Sequence, residues 1–343
     1  MTYVHTNPIK LTSLIGTALL AVLYASTATA QTVADDVVCT RCVDKSDIAP
    51  GAVTKGKIAS GAVRKRHIAP GQVTTGKIAD GAVTAAKLTA DAVFGRIIVV
   101  RNDPADNVGN CNDLVDALAA ITDNDANNRY LIRLEPGIYD CGDQAVFRMK
   151  PYVDIRGAGQ ELTLIRGTVE GSVVFGANDV ALSMLRVENT GSNFPRAINT
   201  GSTTMRINHV TAVAQNAGSN SFGILAGGTA LLAKVTAIAD TAVFNAVGVG
   251  TNGGAPTMVN VTAIGTNDTG ENRGAFVSSF DAQPVLTARN SVFAGSTAAI
   301  LGDLDSTANI ISTQLDGGAT GSAVYRCAGA YDGNFAPLNS SCQ

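Results

Sequence analysis

Five polar residues in the middle of the chain have the types a groove for acidic sugars would need: Arg186, Glu188, Arg196, Arg206 and Asp240. Guanidinium forks pair with carboxylates, and side-chain carboxylates can serve as acid, base or nucleophile. These five are the candidate polysaccharide-groove residues; no catalytic residue is assigned. His209 is the only histidine after position 67, and it precedes a strand, which makes it a surface or turn residue. Asp123 and Asp125, in DNDANN, are spaced like the start of a calcium loop. The twelfth position is Leu134, where that loop needs a bidentate carboxylate. Cys39 and Cys42 (CTRC) lack the flanking strand and helix of a redox pair and the second pair of a zinc site. A disulfide clamp, within or between chains, is the better reading. The run Arg64-Lys65-Arg66-His67 is a solvated face rather than a nucleic-acid patch. No metal, cofactor or phosphate loop is expected.

The compartment follows from the first residues. Lys10 precedes an apolar run from Leu11 to Ala25, and Ala28-Thr29-Ala30 supplies the small residues of a cleavage site. A signal peptide over 1–30 is expected, with cleavage after Ala30 and no membrane span afterwards, because the run is too short to cross. The protein is expected to be secreted, periplasmic or at the cell surface. Six cysteines fit export, and proximity pairs them as Cys39/Cys42, Cys111/Cys141 and Cys327/Cys342. Net charge is −3, too small to point to a polyanionic partner, and tryptophan is absent.

The elements that must hold such residues show themselves in a recurring phrase. HVTAVA, KVTAIA and NVTAIG place Val210, Val235 and Val261 25 and 26 residues apart. A second short apolar strand, around Ile198, Ile224 and Val249, lies 11 or 12 residues before each valine. Turn chemistry separates them, as in NAGSNS and TNDTGEN. One such unit cannot bury its own apolar face, but stacked units can, with aliphatics in ladders and backbones paired in parallel. The predicted fold is all-β: a single-stranded, right-handed parallel β-helix over 94–326, with a short capping helix and a cysteine-bounded tail over 327–343. An antiparallel sandwich, the alternative, leaves the phased phrase unexplained.

A shorter repeat occupies 48–93, after a cysteine-containing leader over 31–47. Ile48, Ile58, Ile68, Ile78 and Leu88 hold one position of a ten-residue unit, and Val53, Val63, Val73, Val83 and Val93 another. The spacing excludes coiled coil and collagen. Two apolar residues in ten cannot make a core for one chain. The expected solution is a stem that shares its core with copies of itself; an extended linker is the alternative. Such decads resemble the stems of trimeric phage fibres and bacterial surface proteins, and trimer rather than dimer rests on that resemblance.

At the entrance, Leu114, Leu118 and Ile121 fall at helical spacing, with Asn110 or Asn112 as cap, and such a helix would plug the open coil. The stretch PGIYD…MKPYVDIRGAGQELTLIRG that follows is similar to the first coils of pectin-lyase-like β-helix proteins, especially pectin methylesterases, over roughly 130–215. The whole mature chain resembles secreted bacterial β-helix proteins with a similar stem and a tail like YRCAGAYDGNFAPLNSSC. In the esterases, the resemblance implies, two aspartates, an arginine and glutamines line one face. Here Arg196 stands where the first glutamine is expected, and the motifs carrying the aspartates have no counterpart; Asp240 sits on an expected turn. The leading reading is a non-enzymatic, structural, adhesive or polysaccharide-binding protein that self-associates through its stem. A carbohydrate-active enzyme of pectin esterase or polysaccharide lyase type with a diverged site, and a phage-fibre-like protein, are the alternatives.

Overall fold

The computed structural model describes residues 48–64, 67–69, 72–79, 82–83, 96–143, 147–215, 217–240, 242–251, 253–266, 270–278 and 283–343. The expected signal peptide, its cleavage site and the Cys39/Cys42 pair lie outside them. The chain divides into two units between Asp80 and Gly81.

In the first unit the described decad residues fold as successive turns. The Ala52 N–H donates to the Ala49 carbonyl at 3.0 Å, with Gly51 at φ 79°, and the Ala62 N–H donates to Ala59 at 3.0 Å, with Gly61 at φ 75°. A positive φ at the third turn residue calls for glycine, which explains Gly51 and Gly61 at the same decad position. The second turn closes through Lys57 N–H to Thr54 O and Lys77 N–H to Thr74 O, each 2.9 Å. Lys57 Nζ and Lys77 Nζ then reach back to the Ala52 and Gln72 carbonyls at 2.8 Å. The decad isoleucines nevertheless stay 42–45% exposed and the valines 47–55%. The described part of the unit is regular, and none of its residues is buried.

The second unit is a parallel β-solenoid of about seven coils. Every strand pairing within it is parallel, and one isolated antiparallel bridge, Tyr331 to Pro337, lies in the tail. That excludes the sandwich, and the right hand is the one parallel crossovers take. Among the described residues the strands form two sheets, one of fifteen (sheet A) and one of eight (sheet B). The repeated phrase lies on the long strands of sheet A. Val210, Val235 and Val261 pair in one rung and Ala212, Ala237 and Ala263 in another, with Thr211, Thr236 and Thr262 between them. The valines and alanines are buried, at 0–1% exposure. A strand side chain alternates sides, so V-T-A sends valine and alanine inward and threonine out. Each buried aliphatic contributes roughly 1.5–3 kcal/mol.

The long strands bend at one residue in the left-handed region, Met184, His209, Lys234 and Asn260, and Asn290 and Ser312 make the same bend between consecutive short strands, all at φ 47–57°. The ladder skips that residue, since Asn208 pairs Ala233 and Val210 pairs Val235. His209 is therefore a bend residue, as expected. Across the interior, sheet B comes close enough that only glycine fits. A Cβ on Gly223 would lie 2.7 Å from Ile238 N, and one on Gly248 would lie 2.4 Å from Ile264 N.

A helix closes the entrance, as anticipated, and two details differ from expectation. Helix α1 runs Asn107–Ala120 and buries Leu114 and Leu118, with Ile121 also buried. Its cap is Asp106, whose Oδ1 accepts the Gly109 N–H at 2.8 Å. Neither Asn110 nor Asn112 caps it; Asn110 is buried and donates from Nδ2 to the carbonyls of Asp103 and Ile138. An aspartate four residues earlier offered the same capping chemistry plus a negative charge at the helix start. At the far end, the strand Val324–Ala328 crosses the expected boundary at 326/327, so the last coil continues into the tail. Disulfides Cys111–Cys141 and Cys327–Cys342 form as paired from sequence and tie both ends. No helix among the described residues is long and apolar enough to cross a membrane.

Gly248→Ala should therefore force the two sheets apart and cost about 1–3 kcal/mol. Lys234→Gly should gain up to about 1 kcal/mol by relieving the left-handed bend. Urea unfolding midpoints should move in opposite directions for the two variants; equal midpoints would contradict this account of the coil.

Candidate functional site

The five groove candidates do not share a groove. Arg186 and Glu188 sit two residues apart on the strand Ala181–Asn189 and pair with each other, Nη2 to Oε1 at 2.5 Å. Arg206 lies on sheet A on the other side of the bend, and its field bears on Asp154. Asp240 is not on a turn: it ends the strand Leu231–Asp240, paired with Thr266, whose hydroxyl donates to Oδ1 at 2.9 Å. The ladder simply runs one residue further than the apolar pattern implied. Arg196 alone lies on sheet B. Asp123 is occupied too: Tyr130 OH donates to it at 2.5 Å and Arg96 pairs with it at 3.2 Å, which hold its carboxyl below the usual range. Asp125 accepts the N–H groups of Asn127 and Asn128, closing a local turn.

Sheet B brings together a different set. Ser172, Arg196, Phe222, Val247 and Arg273 succeed one another along one rung. Phe175, Asn199, Leu225, Gly250 and Phe276 follow along the next outward rung, and Arg148 pairs with Phe175 at its start. The guanidinium of Arg148 lies 4.5 Å from the Phe175 ring centre and that of Arg273 5.3 Å from Phe276. Phe222 leans across Gly250, where a Cβ would meet its ring at 2.7 Å. The turn residues Phe194 and Phe244, immediately before two of these strands, are exposed at the edge. At about 4.8 Å per coil, Arg196 and Arg273 stand about 14 Å apart. The face is thus a row of cations set between aromatic rings.

Its electrostatics are unbalanced. Burial pushes the pKa of Arg196 and Arg273 down, and the Nε of each is buried with no hydrogen-bond partner. Arg273 pairs through Nη2 with Glu271. Arg196 has no ion pair among the described residues. A partly buried cation without a counter-charge costs stability that an anion would restore.

No family model and no curated protein sequence matches this chain. Among solved structures it is similar to the pectin methylesterase PemA from Erwinia chrysanthemi, at 10% identity over 73% of this chain and 92% of that one, TM-score 0.47. The likeness is one of fold. A pectin methylesterase solved with a hexasaccharide is similar at 9% identity over 67% of this chain and 87% of that one, TM-score 0.42. The A-module of the mannuronan C-5 epimerase AlgE6 from Azotobacter vinelandii is similar at 12% identity, with the same coverages and TM-score 0.36.

Arg148, Phe175, Phe222, Arg273 and Phe276 escape a reading by residue type. For Phe222 the signal is phase: Arg196, Phe222 and Val247 precede the valine of the repeated phrase by 13 or 14 residues. Residues at that offset share one rung of sheet B. If Arg196 is held for a ligand rather than for the fold, Arg196→Met should leave the melting temperature unchanged or raise it. A fall beyond about 2 kcal/mol would mark it as structural, since that exceeds the cost of losing a typical surface group.

Proposed function

We propose that the protein is an exported, stalked β-helix that binds acidic polysaccharide on sheet B without transforming it, as a structural or adhesive element of a cell surface. The observation that carries this reading is the pair of half-buried arginines with unpartnered Nε atoms, Arg196 paired in register with Phe222 and Arg273 set against the ring of Phe276. Guanidinium groups take carboxylates bidentately, and flat rings take the C–H face of a sugar. Export is supported by the two disulfides. Affinity electrophoresis in polygalacturonate and alginate gels should retard the protein. The double variant Arg196→Met, Arg273→Met should lose at least tenfold in affinity, and the retardation should weaken with salt. Acid release and unsaturated-product absorbance should stay at the level of a heat-treated control. Turnover above that control would replace binding by catalysis as the function.

The stem belongs to the same proposal. Its described isoleucines and valines, about half exposed, need a cover that a second and third copy would supply in register. Light scattering should report a trimer for the intact chain and a monomer for the variant Ile58→Ser, Ile68→Ser. A monomeric intact chain would leave the stem a linker.

A further inference from the structure

Sheet A carries a depression that the sheet B face does not involve. Along the strands before the bend, Ala181, Arg206 and Leu231 occupy one outward rung, and Arg156, Ser183, Asn208 and Ala233 the next. Asp154 stands one residue before Ile155 on the first of these strands. Ala181 and Ser183 therefore form a gap one coil wide, with charged residues on the coils either side of it. The gap opens into a groove of about 470 Å³ that also meets Met184, His209 and Leu231. That volume is in the range of small-molecule sites.

The charges around it are unevenly satisfied. Asp154 is buried, and its Oδ1 accepts from Arg129 Nη2 at 3.2 Å and from the Ala181 N–H at 2.8 Å. Arg129 also donates to the Asp179 carbonyl at 2.7 Å, which holds it at the rim. The guanidinium groups of Arg156 and Arg206, on opposite sides of the gap, make neither a hydrogen bond nor an ion pair among the described residues, although Arg206 acts on Asp154 through its field. They lie two coils apart, about 10 Å along the axis, within reach of a common ligand for side chains of that length.

We propose that this groove is a second binding site, for one acidic sugar unit. Its carboxylate would pair with Arg206 or Arg156, a charge-assisted fork that neither arginine has within the chain. Its hydroxyls meet Ser183, Asn208 and Asp154 Oδ2, groups that between them both donate and accept. Its C–H face rests on Ala181, Ala233 and Leu231. A neutral sugar would leave both arginines unpaired, and inorganic phosphate would leave the apolar floor empty. With one site on each sheet, the protein could join two acidic glycan chains.

The test is calorimetry and amide NMR shifts on the intact protein with methyl β-D-glucuronide, methyl β-D-glucoside and inorganic phosphate. The glucuronide should bind, with shifts confined to Ala181, Ser183, Asn208 and Ala233, and the glucoside at least tenfold more weakly. Arg206→Ala should weaken the glucuronide at least tenfold, and Ser183→Leu, which fills the gap without removing a charge, should abolish its binding. Equal affinity for glucoside, a phosphate affinity matching the glucuronide, or an unchanged Arg206→Ala variant would overturn the site. The Arg196→Met, Arg273→Met variant should bind the glucuronide normally; loss in that variant would mean that the probe reads sheet B instead. Failure of polysaccharide binding with glucuronide binding intact would remove the sheet B reading and leave this one.

Discussion

The structure depends on one constraint: successive coils must pair in parallel and in register while two sheets approach to backbone contact. The interior column Gly223, Gly248 and Gly274 marks the approach, because no Cβ fits there. The left-handed bends at Met184, His209, Lys234 and Asn260 follow from the same demand, since each coil must turn where its neighbours turn. A methionine, a histidine and a lysine are poor choices for that backbone region taken singly. They are tolerated because the ladders on both sides over-determine the bend. Register propagates this to every other column, so that valine, alanine and isoleucine face in wherever the repeat places them.

Register also decides what the outside can do. A side chain on an outward column is held at a fixed interval from its counterparts in neighbouring coils, with little freedom for the backbone to reposition it. Sheet B uses this to align Arg148, Arg196 and Arg273 with Phe175, Phe222 and Phe276. Sheet A uses it to leave small residues between charged ones, as at Ala181 and Ser183. The scarcity of aromatic residues is thereby less telling than it looks from composition, because three of the ten phenylalanines share one face.

A stack of coils leaves two raw ends, where unpaired strand edges would invite further pairing. Helix α1 covers one end and is bound to the coil beneath it through Cys111–Cys141. The tail covers the other, held by Cys327–Cys342, by the Leu338 N–H on the Ala330 carbonyl and by the stacked rings of Tyr331 and Phe335. The stem solves a different problem. Its turns are satisfied locally by glycine and lysine, while its described isoleucines and valines stay about half exposed.

Much of this was legible from local pattern. The V-T-A phrase and its phase determined the solenoid, because alternation and a constant period leave one way to bury the apolar side chains. Proximity determined two disulfides, and helical spacing determined the buried face of α1, though not the Asp106 cap, which lay among several competing polar residues. The candidate surface was not legible in the same way. Arg186, Glu188, Arg196, Arg206 and Asp240 look like a cluster because they are near in sequence. A coil of about 25 residues visits three faces before it returns, so neighbours in sequence part in space and residues a whole coil apart become neighbours. Residue types and period were in the sequence; which arginine faces which ring, and which carboxylate already has its partner, was decided only by the closed coil.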